Sequence, residues 1–265
     1  MPFGAVEVES EPISLSTLEF DVLWEHLGPG TMPLVVKVPS PGKTYEERAQ
    51  LEERVWAGLD ARGLGRKVDI HPEIEHLFTL LARPDREVDG RLWTGHPVRL
   101  LACSLGDNDG ALAVLTGETI TLRRTSPSGL ASAAVGELPA LPAGPGQSVT
   151  LRTEDFEAAA NAAQGTQKAF EAALLARGVR PDDALALTEM ITDVRGTGNF
   201  GAAARDRLGR RQRADRVVSY FDTDQGRYLQ IRRAAPDGAL WTTISPADHR
   251  RLTHHVDEVL TDITP

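Results

Sequence analysis

Cysteine is almost absent. Cys103 is the one thiol in 265 residues, so the chain can form neither an intramolecular disulfide nor a multi-thiolate metal site. Lysine is scarce as well, with only Lys37, Lys43, Lys67 and Lys168 among the 29 basic residues. This bias accompanies an alanine-rich composition and is treated as background. Long apolar runs are missing: Leu100 to Cys103 and Ala111 to Leu115 fall far short of the roughly 20 residues that cross a bilayer. The start, Met1 to Pro12, carries Glu7, Glu9 and Glu11 and no base, whereas a secretory signal opens with positive charge and then an apolar stretch. Together these absences predict a cytoplasmic protein with no membrane insertion. No Gly-x-Ser-x-Gly or His-Glu-x-x-His occurs, which leaves a hydrolase elbow or a zincin helix without its anchor.

What is present is an ordinary globular composition, 41% hydrophobic and 25% charged, which excludes fibrous and disordered classes. The formal charge of -9 makes nucleic acid a poor default partner, because an acidic chain gains little beside a phosphate backbone.

Periodicity divides the chain into two similar halves. Leu18 to Leu27 places Leu18, Val22, Leu23 and Leu27 on one helical stripe after Ser16 or Thr17 as N-cap. Pro33 to Val38 is a β-branched run read as a first strand. Helices follow at Thr44 to Arg62, stopped by Gly63, and at Pro72 to Arg83. Four strand-like runs come next, Arg86 to Trp93, Val98 to Leu105, Ala111 to Thr116 and Thr119 to Arg124, separated by short turn signals. Ser126-Pro127 then opens a helix through Leu138, and Pro139 to Gly146 reads as a linker.

The second half repeats this order. Helices are predicted at Gln167 to Arg177 and Pro181 to Val194, with strands at Phe200 to Arg205, Arg213 to Asp222, Arg227 to Arg233 and Ala239 to Ile244. Ser245-Pro246 opens a last helix through Leu260. Ala61-Arg62-Gly63 is matched by Ala176-Arg177-Gly178, and Ser126-Pro127 by Ser245-Pro246. The expectation is one α+β domain over residues 1–265. It consists of pseudo-twofold duplicated helix-helix-four-strand-helix units, about 44–139 and 154–260, sharing a central, mainly antiparallel sheet flanked by helices.

Few motifs survive a chemical test. Pro41-Gly42-Lys43-Thr44 lacks the upstream P-loop glycine, Lys37 standing in its place, and Pro39 and Pro41 have no N–H to cradle a phosphate. Gly196-Thr197-Gly198-Asn199-Phe200-Gly201 matches a dinucleotide fingerprint literally, but that chemistry needs a strand before it and a helix after it. A helix-to-strand turn is the competing reading. Cys103 sits in an apolar strand without a neighbouring base, which describes a core thiol. His26, His71, His76, His96, His249, His254 and His255 show no zinc spacing. Arg205 to Arg216 holds six arginines broken by Asp206, Gly209 and Asp215. It reads as a solvated strand edge, with nucleic-acid binding as the alternative.

Several stretches carry a family resemblance. They are Leu18-Glu19-Phe20 with Leu23-Trp24 and Leu27-Gly28, Trp56 to Leu64, Leu80 to Pro84, and Ala143 to Val149. Further on come Phe200-Gly201, Arg205 to Arg211, Phe221-Asp222-Thr223 with Gly226-Arg227-Tyr228-Leu229, and Trp241-Thr242-Thr243 with Ser245-Pro246-Ala247-Asp248. In these, from about Leu15 onward, the chain resembles the EspG family of ESX (type VII) secretion-associated proteins of actinobacteria.

The resemblance implies a pseudo-twofold sheet flanked by helices and a cytosolic, non-enzymatic chaperone without a cofactor. Such a chaperone binds a PE–PPE-type helical substrate, or a WXG-type pair, at an exposed apolar tip and delivers it for export. A homodimer is a further possibility. The matched stretches are core and turn elements, so binding residues are chosen on physical grounds. The candidates are Leu92, Trp93 and His96 at the first hairpin, Arg213 and Tyr220 on strands, and Met190 before Gly196. The competing readings are a nucleotide-binding enzyme using Gly196 to Gly201 and a nucleic-acid module using Arg205 to Arg216.

Overall fold

The computed structural model describes residues 11–163 and 165–264. The acidic stretch 1–10, in which no export signal is read, lies outside the described residues. The fold is α+β, with antiparallel sheet flanked by helices. It divides into two compact units, Met1–Asp89 with Val98–Ala134, and Gly90–Pro97 with Val135–Pro265.

The first unit begins with β1 (Ile13–Ser16) and α1 (Thr17–Leu27). Ser16 accepts from Glu19 N at 3.2 Å while Glu19 Oε2 accepts from Ser16 N at 2.7 Å, a reciprocal cap that fixes where the helix starts. Next come α2 (Tyr45–Ala61), the short β2 (Gly65–Arg66) and β3 (Asp69–Ile70), and α3 (Pro72–Ala82). The meander follows as β4 (Arg86–Trp93), β5 (Pro97–Leu105), β6 (Asp109–Thr116) and β7 (Thr119–Arg124), then α4 (Leu130–Val135). The strand order is β1-β7-β6-β5, then the first half of β4. The core packs α1 and α3 on the Leu101, Cys103, Ala113 and Leu122 face, with the rings of Phe20, Trp24 and Phe78 5.0 to 5.5 Å apart.

The second unit runs β8 (Val149–Arg152), α5 (Thr153–Ala162), α6 (Gln167–Ala176), α7 (Pro181–Met190), β9 (Gly196–Arg205) and β10 (Arg211–Arg213). It finishes with β11 (Val218–Thr223), β12 (Gly226–Ala234), β13 (Leu240–Pro246) and α8 (His249–Thr261). Here the order is the end of β4, then β9-β11-β12-β13-β8, with β10 also on β9. Helices α5 to α7 cover one face through Phe170, Leu174, Leu187, Phe221, Tyr228 and Ile244, and α8 packs against β9 and β11. In each unit the first short strand joins the last long one, β1 on β7 and β8 on β13.

Several local expectations are corrected. The run from Pro33 to Val38 is a 3-10 turn at Leu34–Val36 rather than a strand: Val35, Val36 and Val38 are buried as a strand's would be, but Pro33 and Pro39 cannot donate to a ladder. The segment after Ser126 starts as a 3-10 turn, with Ser126 Oγ 3.0 Å from Ser128 Oγ instead of capping, and α4 reaches only Val135. Ser245-Pro246 ends β13, and the cap of α8 is Asp248, which accepts from Arg251 N at 2.8 Å. The single strand expected from Arg213 to Asp222 is broken at residues 214–217. Arg213 pairs with Ala203 and Val218 with Phe200, so the extra residues bulge out.

Residues 139–146 are not a free linker. Pro142 O accepts from Arg227 N at 2.9 Å and Gly144 N donates to Arg227 O at 3.0 Å. Tyr228 Oη donates to Pro145 O at 3.0 Å. The segment is therefore strapped to the start of β12. A Cβ on Gly144 would lie 2.1 Å from Tyr228 Cζ. Gly144→Ala is therefore expected to overpack this contact and to lower unfolding free energy by about 1–3 kcal/mol in urea titration. An unchanged midpoint would mean that the strap is loosely held.

Candidate functional site

The site is the part of the second unit's sheet that helices leave open. Strand alternation defines it. A Cβ on Gly198 would lie 2.7 Å from Tyr220 Cε1 and 2.9 Å from Leu92 Cδ2, so Leu92, Gly198 and Tyr220 share one face. Arg91, Trp93, Thr197, Asn199 and Ser219 then lie on the other. Ser219 pairs with Asn199 on β9 and with Gln230 on β12, extending that face to Gln230 and Arg232.

This face is polar, with Arg91 exposed on it. Ser219 Oγ donates to Asn199 Oδ1 at 2.6 Å, and Arg232 pairs with Glu157 at 2.9 Å. Thr197 and Asn199 are exposed, Ser219 and Gln230 half-buried. Among exposed large apolar side chains, Trp93 (50%) follows Leu92 on β4, and Val217 (40%) and Leu240 (52%) line the same groove as Thr197, Asn199 and Ser219. A groove of about 1170 Å³ runs from Thr197, Asn199 and Ser219 past Gln230 and Arg232 to the carboxyl end of α8.

Beneath the open face lies a buried ion pair. Arg227 is fully buried; its Nε donates to Asp222 Oδ1 at 2.6 Å and its Nη2 to Asp222 Oδ2 at 2.9 Å. Nη2 also reaches Pro139 O at 2.9 Å. The guanidinium stands 5.3 Å from the Tyr220 ring centre, a cation–π distance. Burial pushes the Tyr220 hydroxyl well above its ordinary range.

Of the six sequence candidates, Trp93, His96 and Arg213 are exposed. Leu92, Met190 and Tyr220 are buried at 5%, 1% and 2% and cannot meet a partner directly. Leu92 and Tyr220 point to the covered face, one residue out of phase with Trp93 and Ser219. Met190 packs near Gly146, where a Cβ would come within 3.3 Å. Sequence reasoning missed Thr197, Asn199, Ser219 and Gln230, since small uncharged polar residues on a strand carry no signal until the pairing is known.

The remaining motifs resolve locally. Gly196 to Gly201 is neither a dinucleotide loop nor a turn: it lies within β9, following α7 and a turn in which Asp193 has φ 53°. Gly196 and Gly198 are needed because β4 and the side chains of β11 approach closely. Thr44 caps α2, accepting from Glu47 N at 3.1 Å. Cys103 is buried, and desolvation pushes its thiol up to about 12. His255 Nδ1 lies 2.8 Å from Glu258 Oε2. That contact leads the causes holding the Glu258 carboxyl below its usual range. Among the described residues no cluster of three His, Cys, Asp or Glu side chains could hold a metal ion, and no helix is long and apolar enough to cross a membrane.

The EspG family model matches residues 16–258. The chain belongs to the EspG family. Among curated relatives, ESX-1 secretion-associated protein EspG1 of Mycobacterium tuberculosis is 27% identical over 220 residues, covering 78% of this chain and 72% of that protein. The Mycobacterium marinum EspG1 is 26% identical over 224 residues, covering 79% and 75%. Among solved structures, the Mycobacterium tuberculosis type VII secretion system chaperone EspG5, in complex with the PE25-PPE41 dimer, superposes with a TM-score of 0.74 at 16% identity. That match covers 96% of this chain and 97% of EspG5. It extends the EspG fold to this chain.

The buried pair gives a direct test of what supports the EspG sheet. Arg227→Met is expected to leave Asp222 buried without its countercharge and to cost on the order of 3–5 kcal/mol in chemical denaturation. A loss below about 1 kcal/mol, as exposed pairs show, would contradict this assignment.

Proposed function

We propose that this EspG family protein is a non-enzymatic chaperone of a type VII secretion system. It works in the cytoplasm, holding a PE–PPE-type helical substrate soluble until export. The observation that carries the reading is the open sheet face, where one exposed tryptophan stands beside neutral amides and hydroxyls. The loop-side end of a helical hairpin exposes apolar side chains together with N–H and C=O groups that have no intrahelical partner. Thr197, Asn199, Ser219 and Gln230 can donate to or accept from such groups, and Trp93 supplies apolar area at small entropic cost. An aggregation-prone tip is thereby covered. His96 and Arg213 are exposed and form the outlying part of the proposed contact. The EspG5 complex with PE25-PPE41 makes a PE–PPE pair the first substrate to try and a WXG-type pair the second.

The same reading takes residues 1–265 as a single EspG-like domain built from two quasi-repeats. Supporting it are the matched helix ends at Arg62 and Arg177 and the equivalent placement of β1 and β8.

Co-expression with PE–PPE pairs from the same genome tests the function. The wild-type chain is expected to recover one pair in stoichiometric amount, and Trp93→Ala or Asn199→Lys to weaken binding at least tenfold with an unchanged melting temperature. Recovery of no PE–PPE pair, or equal binding by both variants, would overturn the assignment.

A further inference from the structure

The hairpin between β9 and β10 is built more firmly than its exposure requires. Asp206 Oδ1 accepts from Leu208 N and Arg210 N, both at 2.9 Å, and Oδ2 accepts from Arg210 Nε at 2.8 Å. The backbone adds Asp206 N to Arg210 O at 2.9 Å and Gly209 N to Asp206 O at 2.8 Å. Arg205 Nη1 donates to Gly209 O at 2.8 Å, and Gly209 holds φ 74°. These donors, the Arg210 amide foremost, keep the Asp206 carboxyl below its usual range.

Such a turn dictates Asp206 and Gly209, but nothing in it dictates the two residues at the tip. Leu208 is 76% exposed. Arg207 is exposed and has no partner among the described residues. The stretch 205–216 holds six arginines against two aspartates in a chain whose net charge is -9, so its sign opposes that of the molecule as a whole.

We propose that this hairpin is a second protein-docking element, presenting Leu208 as an apolar anchor and Arg207 as a cation to a partner surface with an apolar pocket edged by carboxylates. The Asp206 bonds make the loop preorganised, so little conformational entropy is lost when a partner seats on it. A cation at the rim steers an acidic partner and an apolar residue at the centre holds it. Leucine favours a protein over nucleic acid here, because base stacking needs an aromatic and no aromatic lies between Arg205 and Arg216. The six steps of β9 from Asn199 to Arg205 span about 20 Å. The tip at Arg207 and Leu208 therefore stands apart from the centre of the open face, with Arg213 at the base of the hairpin between them, and this docking does not depend on the chaperone reading.

Random-peptide display on the immobilised full-length chain tests this element, with the Arg207→Glu/Leu208→Asp double variant as counter-selector and Leu208→Asp alone as a second variant. The expected result is an enriched consensus of a large apolar residue flanked by Asp or Glu. These peptides should bind both variants at least tenfold more weakly, and Asp206→Ala, which keeps both tip side chains, about threefold more weakly. Peptides that bind the variants as well as the wild type would overturn the proposal. So would the lack of any consensus, or a 20-nucleotide single strand whose binding is lost on the same substitutions.

Discussion

A guanidinium with no exposure to water stays charged inside a protein at a cost that a countercharge and hydrogen bonds must largely offset, even where, as at Arg227 Nη1, one nitrogen is left without a hydrogen-bond partner. Arg227 is such a group, and much of the second unit is arranged around it. Asp222, five residues back across the β11–β12 hairpin, supplies the bidentate countercharge. The strap at residues 139–146 contributes the carbonyl of Pro139 to the guanidinium and that of Pro142 to the Arg227 amide. The Tyr220 ring lies against the remaining face. That ring leaves room for no side chain at position 198, which explains a glycine in a central strand. Leu92 fills the space beside it, and its neighbour Trp93 is turned to the opposite, open side. The open face is thus set by what is buried behind it.

The long periodic elements were legible in sequence because their periods are strong. Helices α2, α3, α6 and α8 and strands β4 to β7 match the expected elements to within a few residues, each bounded by a cap, a glycine or a short turn. Failures cluster where punctuation is ambiguous. Ser-Pro marks a helix start in one place and a strand end in another, since proline suits both the first turn of a helix and a strand position beyond the reach of a neighbour, as Pro246 is beyond β8. The valines at 35, 36 and 38 are buried as a strand's would be, yet no ladder forms there, and burial alone does not distinguish the two. The strap looked like a linker because proline and glycine also serve where two backbones must touch. Only the position of Tyr228 separates the cases.

The site was half legible. Trp93 could be singled out as a large aromatic beside a hairpin turn, and Tyr220 lies on the strand that also carries Ser219 of the open face. The choice of Tyr220 itself was one residue out of phase: on a strand, a shift of one moves a side chain from solvent to core. Asn199, Ser219 and Gln230 lie far apart in sequence and become one surface only through the β9-β11-β12 register. No spacing rule could have joined them. The glycine-rich stretch 196–201 shows the converse. The match to a dinucleotide motif is literal, but Gly196 and Gly198 serve close strand packing.

The account stands on the open face of the second unit being where the substrate binds. Hydrogen exchange by mass spectrometry on the free chain and on its complex with a cognate PE–PPE pair measures this most directly. Protection is expected in peptides spanning residues 91–96, 197–199, 217–220 and 230–232, with the strap at 139–146 already protected in the free protein. Protection confined to the first unit, with these peptides unchanged, would place the substrate elsewhere and contradict the account.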